Sequence, residues 1–379
     1  MHRGIREFIH WVRDEDHRDL VKLEQAATAK EVTALEHQLG APLPTDLKLV
    51  LGVFDGASLP NGVLLSARPG PGNTIEAGLK ALAEVSETSF LDPELLLPFH
   101  RTEAGSYLAF DRSAAPVSDT WPIVDYDLDT GERRLIHRTF DGWCRLCVAE
   151  WTAPDYDQEF SVEKYLAQGE RHARIEPDVS IAHVTVAHAF RRAGHPEEAL
   201  ESYLAAGRCV PAIAWSDWEA LKLAALLGYP AHALEASARL AKRAPASMWD
   251  QRETTPSRVA YALGVVAPPP GEEQEAWLRI FDQLVAQALD DDDRAAALAI
   301  RDAVAAGAAG AAISVPRPYP PQEADVEPSD DLDAFWAACA KDYRAGSLRE
   351  DDLLLDPRFA PLTARFALVD LLRIRRDFG

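Results

Sequence analysis

The chain has 379 residues, more than one ordinary core accommodates, so two or more domains are expected. Hydrophobic residues make up 47%, which excludes a chain disordered throughout. A formal net charge of −22 repels phosphate backbones, so it argues against nucleic acid and favours a basic protein partner, although the same charge also serves solubility.

The N-terminus, MHRGIREFIHWVRDEDHRDL, is charged and helical in period, with no apolar core of signal-peptide length. Ile5, Phe8, Ile9 and Val12 form one stripe of a first helix. Thr28 followed by Glu31 is a capping box that opens a second helix, with Val32, Leu35 and Leu39 on its apolar face. Gly40 occupies the C-cap position, and Pro42 and Pro44 forbid continuation. A short third helix from Asp46 to Phe54 ends at the turn Asp55-Gly56. Val63 to Leu65 reads as a strand, 69–73 as a loop, and 75–85 and 92–97 as helical. Tyr107 to Phe110, Ile123-Val124 and Arg134 to Ile136 read as strands, the last reached through a tight connection at 129–132. A helix from Asp141 to Trp151 closes the unit. Three helices, strands joined by hairpins and a closing helix predict an α+β domain with a mixed or antiparallel sheet over 1–152.

Residues 152–160 read as a linker, and every segment beyond them is helical in period. The expected layout is a helical-hairpin domain over 161–312, a proline-rich connection over 313–330 and a C-terminal helical segment over 331–379. Within the helical part, Gly194, Ala199, Tyr203 and Pro211 recur 34 residues later as Gly228, Ala233, Ser237 and Pro245. That period is the tetratricopeptide spacing, in which small residues let paired helices approach and each hairpin needs a neighbour to cover its apolar face. The second unit departs at Ser237, and a third does not keep the period.

The segment 25–56, QAATAKEVTALEHQLGAPLPTDLKLVLGVFDG, resembles the opening of the SMI1/KNR4, or SUKH, domain family. Leu39-Gly40, Leu43-Pro44, Asp46 and Asp55-Gly56 carry the resemblance. Further on, Leu97-Pro98, Gly105, Tyr107, Asp111 and Pro122 to Val124 are similar to the family's middle strands, and Phe140 with the helix to Trp151 to its close. The resemblance implies a binding module. Many bacterial members act as immunity proteins against polymorphic toxins, and fungal members regulate cell-wall synthesis through protein contacts.

No catalytic, cofactor or metal constellation stands out. Cys144 and Cys147 form CRLC, but no second CxxC exists, His137 is the nearest histidine, and the surrounding Trp143, Leu146 and Val148 suit a packed helix. With Cys209 and Cys339 the cysteines number four, too few for a disulfide framework and suited to a reducing compartment. Asp125, Asp127, Asp129 and Gly131 echo a calcium loop, yet Thr130 intervenes and the twelfth position is Ile136. His172, His183, His188, His195 and His232 fall in the helical part without an HExxH pattern, and no GxSxG or phosphate-loop Lys-Ser/Thr occurs. No stretch approaches about 18 uninterrupted apolar residues, so a cytoplasmic protein that spans no membrane is expected. The reading is a non-catalytic protein-binding module, of immunity or regulatory type. The alternative is a hydrolase built on Asp111 or the Asp125–Asp129 group. The expected partner site is a basic-aromatic patch on the first helices of the two hairpins: His188, Arg191 and Arg192 from one, Trp218 and Lys222 from the other. Cations and an indole can hold a peptide carboxylate and an apolar side chain together.

Overall fold

A computed structural model describes residues 2–70, 72–86, 93–114, 120–126, 133–242, 255–271, 273–288, 290–308, 326–363 and 367–377. Contacts divide the chain into two compact units: Met1–Glu159 with Glu170–Ala182, and Phe160–Gly169 with His183–Gly379.

The first unit opens with α1 (Arg3–Arg13), which buries Ile5, Phe8, Trp11 and Val12 on one stripe. Helix α2 (Ala29–Leu39) starts at the Thr28–Glu31 capping box and stops at Gly40, whose φ of 63° is the left-handed turn that ends a helix. Helices α2 and α3 (Thr45–Leu51) lie between the first and second strands of a seven-stranded antiparallel sheet in which the strands pair strictly in sequence order. These are β1 (Lys22–Leu23), β2 (Ala57–Leu59), β3 (Gly62–Leu64), β4 (Leu96–Thr102), β5 (Tyr107–Asp111), β6 (Ile123–Tyr126) and β7 (Arg133–His137). Helix α4 (Ile75–Ser86) joins β3 to β4, and α5 (Phe140–Trp151) follows β7.

One sequence expectation changes here. Residues 92–97 read as helical, but only Pro93–Leu95 form a single 3-10 turn and Leu96-Leu97 already belong to β4. A short apolar run carries no period that separates a buried strand from a buried helix. Pro98 is tolerated because β4 bulges beside it: Pro98 faces Ala109 and His100 faces Leu108, leaving Phe99 as the extra residue. The two-residue β1 had no legible signal. The tight connection at 129–132 lies outside the described residues. Phe8, Phe99, Phe110, Phe140 and Trp143 fill the core, with Phe99 and Trp143 edge to face at 5.1 Å.

The second unit is all-helical and built from packed helix pairs. Helix α6 (Val162–Ile175) has residues in both units. The pairs α7 (Ser180–Ala193) with α8 (Pro196–Arg208) and α9 (Ala214–Leu227) with α10 (Pro230–Leu240) begin 34 residues apart, helix for helix. Gly194 and Gly228 turn each hairpin at positive φ, 83° and 74°. Ala199, Ala233, Tyr203 and Ser237 are all fully buried, so the aromatic lost at Ser237 stands at a core position. The period does not continue through α11 (Pro256–Val265), α12 (Gln274–Ala286) and α13 (Asp291–Ala305). Beyond Val326, α14 (Leu332–Ala345) and α15 (Glu350–Leu355) share the core of the hairpins: Phe335, Cys339, Tyr343, Leu353 and Leu355 join Tyr203, Trp218 and Leu221 in one buried cluster. No helix among the described residues is long and apolar enough to cross a membrane.

Candidate functional site

Three of the five residues expected to line a groove, Arg191, Trp218 and Lys222, bond to a carboxylate pair that the sequence reading missed. Glu350 and Asp351 open α15. Arg191 donates to Glu350 from Nε at 2.7 Å and from a terminal nitrogen, and from Nη1 to Glu219 at 3.0 Å. Lys222 donates to Glu219 at 2.8 Å and to Asp351. Trp218 Nε1 donates to Asp351 Oδ1 at 3.2 Å. From the far end of the chain, Arg376 donates to Glu350 at 3.0 Å, and Tyr343 does so through its hydroxyl at 2.6 Å. The Arg376 guanidinium also lies 3.9 Å over the Tyr343 ring.

The charges in this network balance: Arg191, Lys222 and Arg376 face Glu219, Glu350 and Asp351. The side chains of Glu350 and Lys222 are 0% and 2% exposed. Burial alone would push Glu350 up, but Arg191 and Arg376 outweigh it and hold the carboxyl well below the usual range. Burial likewise disfavours the Lys222 ammonium, and Asp351 with Glu219 more than restores it. His188 stacks on Trp215 at 5.4 Å and meets Tyr203 edge-on. Burial, with Arg191 and Arg192 nearby, pushes its imidazole down to about 3, so it is neutral near pH 7. Arg192 lies in the last turn of α7 and is half-buried. Cations and an indole do hold carboxylates here, and the carboxylates belong to the same chain. The one available signal was the acidic run Glu350 to Asp352 ahead of three leucines, 159 residues from Arg191.

Cys144 and Cys147 are free and buried in α5, and burial pushes both thiols up, away from the thiolate that metal or redox chemistry needs. Asp111 accepts from Ser113 N–H at 3.0 Å and pairs with Arg133 at 3.2 Å. Asp125 lies on β6, while Asp127, Asp129 and Gly131 lie outside the described residues.

The short motifs of the N-terminal unit are spent on architecture. Asp55 is fully buried and accepts from Ser66 Oγ at 2.8 Å and from the backbone N–H groups of Ala67 and Arg68 at 2.6 and 3.3 Å. It pins the loop after β3 while Gly56, at φ 94°, turns the chain into β2. Residues 26–145 match the SMI1 / KNR4 family (SUKH-1). The match ends within α5, so the helical region lies outside this SUKH domain. The SUKH family is known for immunity proteins and its members are mostly non-catalytic. No curated protein matches the chain.

Proposed function

We propose that the chain is a non-catalytic protein-binding module of immunity type, which holds a basic protein of toxin class in a one-to-one complex and blocks it by occupancy. The SUKH match over 26–145 carries this reading. The motif residues add support, because Asp55, Gly40 and Gly56 hold loops and helix ends. The net charge of −22 suits a basic partner and a fast, salt-sensitive encounter.

We place recognition on the N-terminal unit. In the helical unit, of the patch His188, Arg191, Arg192, Trp218 and Lys222, Arg191 and Lys222 already face Glu219, Glu350 and Asp351. A partner carboxylate could reach Arg191 and Lys222 only by displacing α15, whose Leu353 and Leu355 are buried. The test is titration of the partner toxin's activity with the full chain. Inhibition should be complete at one equivalent, and Arg192→Ala should leave the titration unchanged. Full inhibition at a small fraction of an equivalent would refute occupancy. Loss of inhibition in folded Arg192→Ala would move the site into the groove.

A further inference from the structure

Three ligating side chains meet in the N-terminal unit from separate places in the sequence. His137 ends β7, His172 lies in the last turn of α6, and Glu176 directly follows that helix. Their ligand atoms all lie within 4.8 Å of one another, and all three residues are buried. Glu176 Oε2 is 2.5 Å from His137 Nδ1 and 3.6 Å from His172 Nε2. The second carboxylate oxygen, Oε1, accepts the backbone N–H of Arg138 at 2.8 Å, which leaves Oε2 turned towards both rings. Helix α5 makes room for this carboxylate with a glycine: a Cβ on Gly142 would stand 2.4 Å from Glu176 Oε1.

An ion pair between His137 and Glu176 accounts for two of the three groups. It leaves His172 unexplained. The His172 side chain is 10% exposed, and its Nε2 faces Glu176 Oε2 from beyond hydrogen-bond distance. That nitrogen has no hydrogen-bond partner among the described residues. A buried polar atom left in this way is costly, so its presence asks for an additional group at the convergence point.

We propose that His137, His172 and Glu176 form a binding site for one divalent transition-metal ion of the zinc class, taken through His137 Nδ1, His172 Nε2 and Glu176 Oε2. Two imidazoles and one carboxylate are a donor set for zinc and its neighbours, whereas calcium and magnesium take oxygen ligands. Tetrahedral ligands at about 2.1 Å from the ion stand about 3.4 Å apart. The His172–Glu176 spacing of 3.6 Å already meets that, and the His137–Glu176 contact opens by about 1 Å on binding. The Arg138 N–H is the outer partner that orients the carboxylate, and water completes the fourth position. Buried as it is, the ion fastens the end of β7 to the segment that follows α6. The sequence held one clue, the spacing of four between His172 and Glu176; the distance to His137 hid the rest.

The full chain, stripped with a chelator and desalted, is titrated with zinc and separately with cobalt(II). The expected result is one equivalent bound, visible cobalt bands of four-coordinate intensity, and a raised thermal midpoint for the N-terminal unit with zinc. His172→Phe keeps the His137–Glu176 pair and should weaken zinc at least tenfold; His172→Gln is the second variant should the first fail to fold. No uptake at one equivalent would overturn the proposal and leave an ion pair alone. Unchanged uptake in both folded variants would overturn it equally, by placing zinc on other histidines.

Discussion

Glu350→Gln is the most informative single change in the helical unit. The substitution keeps the shape of the side chain and removes its charge. Arg191, Lys222 and Arg376 then face two carboxylates, Glu219 and Asp351, instead of three. Tyr343 still finds an acceptor, but both arginines lose their ion pair with Glu350 and share one amide oxygen instead of two carboxylate oxygens. Breaking a fully buried pair by removing one partner costs about 3–5 kcal/mol, against a total stability of about 5–15 kcal/mol. For a unit of this size each kcal/mol moves the midpoint by about 2–4 °C, so a fall of about 6–20 °C is expected. Scanning calorimetry of the full chain reads it, with the N-terminal transition as the unshifted internal standard. A double-mutant cycle with Arg376→Met should show a coupling of about 1–3 kcal/mol, because the two groups share one contact. A loss below about 1 kcal/mol for Glu350→Gln would refute the view that this network closes the helical unit, and would mean that water or rearranged side chains replace the missing charge.

Two further outcomes concern the N-terminal unit. His100 is fully buried in β4, neither ring nitrogen has a hydrogen-bond partner among the described residues, and burial pushes its imidazole from an ordinary 6.5 to about 3. The folded unit therefore binds fewer protons than the unfolded chain between these values, so stability is full above pH 6.5 and is lost as pH falls towards 3. The whole shift corresponds to a few kcal/mol, about 1.36 per unit; urea unfolding from pH 7 to pH 4 should show a flatter slope for His100→Leu, and equal slopes would sink the argument. Gly142→Ala should destabilise by about 1–3 kcal/mol through overpacking, despite the better helix propensity of alanine, because the new Cβ meets the Glu176 carboxylate at 2.4 Å. A rise in midpoint would show that this carboxylate yields freely.

Much of the local structure was readable because it is written in local chemistry. The Thr28–Glu31 box, the left-handed Gly40 and the hairpin glycines at 194 and 228 act within a few residues of themselves. The α+β character followed from strand runs joined by short turns, which left the sheet mixed or antiparallel. What stayed hidden depends on residues distant in sequence. Lys22-Leu23 is a strand only because β2 lies beside it, and Leu96-Leu97 is a strand rather than a helix because β5 does. Arg191 and Lys222 meet at Glu219, the residue after Trp218. Nothing local to them announced that Glu350, Asp351 and Arg376 would supply the other half, and likewise nothing near His137 pointed to Glu176.

The strict sequence order of the seven strands bears on how the N-terminal unit reaches its native state. Every ladder joins a strand to its predecessor, so no pairing waits for a strand to be threaded between two others. Each new strand docks on an edge already formed, and the entropy to be spent is that of one intervening loop at a time. Sheets dominated by distant pairings fold slowly because large loops must close before any contact rewards them. A sheet that grows by accretion avoids that delay, and its pairing is complete once β7 has joined, with α5 and the stretch 170–182 still to be added to the unit.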